Sequence, residues 1–95
     1  MIVRVSGVGQ YELNDDGVRK LDQLDTELTR ALDAADEARF HAALASTIEF
    51  ICGSGKPVEA NRVVPSDVIV PPEDVTLEEA RGFFTDEGLM EPLPA

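Results

Sequence analysis

Ninety-five residues with 19 acids against 8 bases give a net charge of −11, and a chain of this length buries roughly 60–70% of its unfolded surface in one core. That charge disfavours direct binding to nucleic acid or anionic lipid, both of which call for clustered Lys and Arg that the chain lacks. With no Trp, four Phe and one Tyr, the core must rest on Leu, Val, Ile and Ala.

The chain opens on an alternating run. Val3, Val5, Tyr11 and Leu13 can share one face, and Arg4, Ser6, Gln10 and Glu12 the other, with Gly7-Val8-Gly9 between them. That pattern predicts a β-hairpin over residues 1–13. Asn14 or Asp15 then offers an N-cap. Leu21, Leu24, Leu28, Leu32 and Ala35 follow at helical spacing, and Phe40, Leu44, Ile48 and Ile51 form a second set. At about 100° per residue the two sets are rotated from one another by roughly 140°. One straight helix over 18–52 would need two opposite partners, whereas a helical hairpin over 15–53, with Asp36 as the second N-cap, needs one core. The hairpin is the preferred reading. The alternative is a single helix of over 30 residues with a coiled-coil partner on each face.

Gly53-Ser54-Gly55 ends the second helix, and Lys56–Arg62 reads as loop. A strand segment is predicted over 63–71, where Pro65 and Pro71 confine it to a sheet edge. A helix over 76–87 carries signals at both ends. Thr76-Leu77-Glu78-Glu79 has the form of a capping box. Gly88, with Leu89 packing on Phe84, suits a Schellman motif. Residues 90–95 read as a loose tail. The predicted fold is a small single α+β domain whose edge strands complete a small antiparallel sheet.

The search for chemistry yields no catalytic, cofactor or metal site. Cys52 and His41 are eleven residues apart, about 16 Å along one helix, too far for a thiolate–imidazole pair. One cysteine excludes an internal disulfide, and Cys52 reads as a buried or half-buried small side chain. His41 follows Glu37 by four, a helix-surface pair. Gly53-Ser54-Gly55-Lys56 lacks the distal Gly and following Ser or Thr of a phosphate loop. Gly7-Val8-Gly9 lacks the third glycine of a dinucleotide fingerprint. Asp15-Asp16, Asp22 with Asp25, and Glu78-Glu79 read as solvated acids. No apolar run nears the ~20 residues of a membrane span, and the N-terminus has no signal-peptide form, so a cytoplasmic setting is expected.

The last third is the acidic part: residues 66–95 hold eight acids and one Arg. In its helix Leu77, Ala80 and Phe84 share a stripe, and Phe83 lies about 100° away. Phe83 either wraps the core or projects as an aromatic anchor, with Asp86 and Glu87 as its polar rim. Phe83, Asp86 and Glu87 are therefore the candidate partner-binding residues. The Leu21–Leu32 face is a second candidate, for a homodimer.

Met1-Ile2-Val3-Arg4-Val5 with Gly7, Gly9, Gln10 and Tyr11, then Phe40-His41-Ala42-Ala43-Leu44, then Val64 to Pro72, and finally Thr76-Leu77-Glu78-Glu79-Ala80-Arg81 with Glu87-Gly88-Leu89 resemble the PspA-associated protein family. The specific part is Pro65-Ser66-Asp67 to Pro71-Pro72 followed by Thr76 to Arg81. The chain departs from expectation at the inter-helix position, where Ala35 stands in place of Gly. The resemblance implies a non-enzymatic accessory of the phage-shock, or envelope-stress, response. It implies a partner, PspA, a long coiled-coil protein that assembles on stressed membrane, and a place at the inner membrane face through that partner. A homo-oligomeric structural module with another protein partner is the alternative.

Overall fold

A computed structural model describes residues 1–59 and 64–83. The elements run β1 (Ile2–Val5), β2 (Gly9–Glu12), α1 (Asp15–Asp33), α2 (Glu37–Ser54), β3 (Lys56–Pro57), β4 (Val68–Val70) and α3 (Leu77–Ala80), followed by a 3-10 turn over Arg81–Phe83. The expected hairpin forms, with Val3 opposite Tyr11 and Arg4 opposite Gln10. Its turn needs Gly7, whose φ of +81° is costly for a residue with a Cβ. The Val8 N–H closes the turn on the Val5 carbonyl at 2.9 Å.

The helical region is two helices. Asn14 caps α1 by accepting from the Gly17 N–H, and Asp36 caps α2 by accepting from the Arg39 N–H. The corner between them is a Schellman motif: the Ala35 N–H donates to Leu32 and the Asp36 N–H to Ala31, each at 3.0 Å. The position that such a motif reserves for glycine is Ala35, at φ +54°. Arg39 on α2 reaches back to Glu27 on α1 at 3.1 Å and ties the helices together outside the core.

The four strands form one sheet in the order β3-β2-β1-β4. It is mixed rather than antiparallel: β2 runs antiparallel to both β1 and β3, but β4 runs parallel to β1, with Val3 opposite Val68 and Val5 opposite Val70. Direction is set by the path of the connecting chain, which local alternation does not encode. The loop expected at Lys56–Arg62 contributes β3, where Lys56 faces Glu12 as an opposite-charge pair. The strand expected over 63–71 shrinks to Val68–Val70. Val64–Asp67 is irregular, and Val63 lies outside the described residues.

One face of the sheet supplies Val3, Val5, Val68 and Val70 to a single buried cluster. The helices supply Leu21, Leu28, Ala31, Leu32, Phe40, Leu44 and Ile51, and Leu13, Val75 and Ala80 close it. Some expected positions differ. Leu24 and Ile48 are half-buried, Ala35 is an exposed corner residue, and Thr47 is buried in place of Ile48. Thr47 is accommodated because its hydroxyl donates to the Ala43 carbonyl at 2.8 Å. Asp25, read from sequence as solvated, is 3% exposed on the core side of α1. Leu21, Leu28 and Leu32 are consumed by this internal core, so that face is closed to a second copy.

Candidate functional site

The most specific run of the sequence folds as a clamp on the hairpin. The Gln10 side-chain amide donates to the Val64 carbonyl at 2.9 Å and to the Ser66 hydroxyl at 2.8 Å. The Asp67 carboxylate accepts from the Ile2 N–H at 2.8 Å, and the Asp67 N–H donates to the Ile2 carbonyl at 2.8 Å. Ser66 and Asp67 thus fix where β4 lands beside β1. Their role in the described residues is architectural, and no reacting group is assembled around them.

Beyond β4, the Val75 N–H donates to the Pro72 carbonyl at 3.0 Å, turning the chain after Pro71-Pro72. Thr76 then caps α3 through a full capping box. Its hydroxyl accepts from the Glu79 N–H at 3.1 Å, while the Glu79 carboxylate accepts from the Thr76 N–H at 3.3 Å and from the Thr76 hydroxyl at 3.0 Å. Only Leu77–Ala80 is α-helical, and Arg81–Phe83 tightens to a 3-10 turn. The remainder of the helix expected to Glu87, its Schellman end and the tail over 90–95 lie outside the described residues. Val75 and Ala80 are buried, while Glu73, Asp74, Glu78 and Glu79 are exposed, so this end presents carboxylates over a packed base. Of the candidate partner residues, Phe83 is half-buried and packs against the core. Asp86 and Glu87 lie outside the described residues.

The other candidates are separated by the fold. His41 and Cys52 share α2, at opposite ends. The His41 Nε2 is 3.8 Å from the Glu37 carboxylate, and its ring meets Phe40 edge-on at 5.9 Å. Cys52 is exposed rather than buried. The neighbouring Cys52 side chain, ahead of burial, pushes the Tyr11 ionisation above the ordinary value of 10.0. Gly55 lets the chain leave α2 close against β2. A Cβ there would sit 2.6 Å from the Ile51 carbonyl oxygen and 2.8 Å from Tyr11 Cβ. The Gly-Ser-Gly-Lys run is therefore a helix end feeding an edge strand. Among the described residues, no group of three His, Cys, Asp or Glu side chains could hold a metal ion. No helix among them is long and apolar enough to cross a membrane.

A family model described as PspA-Associated protein matches residues 1–92 of the chain. The chain belongs to the PspA-associated protein family. The match takes in every element of the fold, the Gln10–Ser66 and Ile2–Asp67 clamps, and the capped α3. The description of this PspA-associated family names an association and no reaction. Curated proteins and solved structures give no significant match.

Proposed function

We propose that this chain is a non-enzymatic accessory of the envelope-stress response that binds a PspA-family protein. The observation carrying the reading is the family match over nearly the whole chain. The acidic last third supports it: Glu73, Asp74, Glu78 and Glu79 stand exposed around α3, and a basic stripe on a partner helix complements them. Such complementarity speeds encounter more than it deepens final affinity. Phe83, Asp86 and Glu87 remain the proposed contact residues, with Phe83 offering only its exposed part. Association places the chain in the cytoplasm at the inner membrane face, held there by the partner.

Co-elution with the PspA-family protein of the same organism, at low and high salt, tests this reading. The expected result is a complex that weakens with salt and with Glu78→Lys, an exposed position that leaves the Thr76–Glu79 capping box intact. Phe83→Ala weakens it too, with thermal melting separating lost contact from lost packing. No complex at low salt would sink the proposal.

A further inference from the structure

We infer that the outer edge of β4 is a docking edge, and that its occupant is an extended basic segment of a partner protein that adds to the sheet as a fifth strand beside Ile69. The inference concerns how a segment docks and does not rest on the PspA association. β4 ends the sheet order, and no strand pairs with its far side among the described residues. The Val70 carbonyl accepts from the Ser6 N–H at 3.0 Å, so the main-chain groups of Val70 face β1. By the two-residue period of a strand, those of Val68 do the same, and the N–H and C=O of Ile69 point outward. The side chains alternate likewise. Val68 and Val70 are 4% and 0% exposed, whereas Ile69 is 48% exposed. The opposite edge of the sheet differs. β3 is two residues long and ends in Pro57, which has no N–H to offer a new strand.

Charge selects the occupant. Asp67 precedes the strand and Glu73 and Asp74 follow it, all exposed. Arg4 lies beside Ile69 on β1 and leaves the edge net acidic. A second copy would bring another chain of net charge −11 with the same acids around its own edge. A segment with an apolar residue opposite Ile69 and lysines or arginines on either side meets both features. Pro65 and Pro71-Pro72 bracket the edge, so the backbone bonds are confined to Ile69 and side chains must supply the selection.

The test uses the full chain and a synthetic peptide of alternating lysine and valine, followed by amide hydrogen exchange. The expected result is protection of the Ile69 amide on adding peptide. That protection is lost when the peptide is N-methylated at alternate residues, and lost again when its lysines are replaced by glutamates. Ile69→Lys, on an exposed side chain, weakens binding about tenfold or more while circular dichroism stays unchanged. Three results would each overturn the inference: no protection of Ile69, equal binding by the N-methylated peptide, or protection of Ile69 that rises with protein concentration alone. The last would assign the edge to a second copy.

Discussion

Replacing Ala35 by Gly should stabilise this fold. Ala35 holds φ +54° in the corner between α1 and α2, where its N–H and that of Asp36 complete the Schellman bonds. A side chain in the left-handed region costs about 1–2 kcal/mol. Glycine removes that cost but gives back about 0.4–1 kcal/mol through the greater freedom of its unfolded chain. Ala35 is exposed, so losing its methyl group forfeits little burial. The net gain is about 0.5–1 kcal/mol, or a rise in Tm of roughly 2–8 °C for a domain of this size. The assay is urea unfolding followed by helical circular dichroism, in which the midpoint shifts and the m-value does not. Ala35→Val provides the opposite arm, because a β-branched residue suffers more at positive φ and should lower the midpoint. A neutral or destabilising Ala35→Gly with unchanged m-value, together with a harmless Ala35→Val, would refute the account of the corner.

Three further outcomes are expected. Gly55→Ala forces a Cβ against the Ile51 carbonyl and Tyr11 and should cost about 1–3 kcal/mol, read as a lower urea midpoint; an unchanged midpoint would mean that the α2–β3 junction gives way freely. Asp67→Ala removes the acceptor of the Ile2 N–H at an exposed site and should cost about 1 kcal/mol, with faster exchange of the Ile2 amide as the direct readout. Tyr11 is the sole Tyr in a chain without Trp, so its phenol can be titrated by near-ultraviolet absorbance without interference. Because its folded ionisation lies above the ordinary 10.0, its contribution to stability is whole below about pH 10 and is lost as pH rises through the folded value. Cys52→Ala should lower the Tyr11 midpoint toward the ordinary value and shrink this loss, and an unmoved midpoint would remove the thiol as the cause.

The features legible in the sequence are those set by near neighbours. Asn14, Asp36 and Thr76 each cap a helix by accepting from the N–H three residues on, so spacing alone exposes them. Alternation placed Val3 and Val5 on the buried face for the same reason. The features that stayed hidden depend on distant partners. Gln10 meets Ser66 across 56 positions and Ile2 meets Asp67 across 65, and nothing local to either end announces the pairing. Both ends did fall within the runs that carried the family resemblance, which is the signal that could have joined them. Asp25 escaped because its neighbours Asp22 and Thr26 are polar and exposed, while the core stripe of α1 passes through it between Leu21 and Leu28. β3 escaped because Pro57 argues against a strand everywhere except at an edge.

The parallel seating of β4 also sets the order in which the protein can form. The helical hairpin joins residues close in sequence and can close early, but the hairpin strand β1 gains its second neighbour only when Asp67 to Val70 arrive. At about 5–20 residues per second, synthesis of the 65 positions separating Ile2 from Asp67 takes roughly 3–13 seconds. For that interval one edge of β1 stands open on the nascent chain, with Val3 and Val5 lacking Val68 and Val70 beside them. Folding of the complete sheet is then governed by its longest-range contact, and variants in the Gln10–Ser66 and Ile2–Asp67 clamps should change yield during synthesis more than they change the melting of the finished protein.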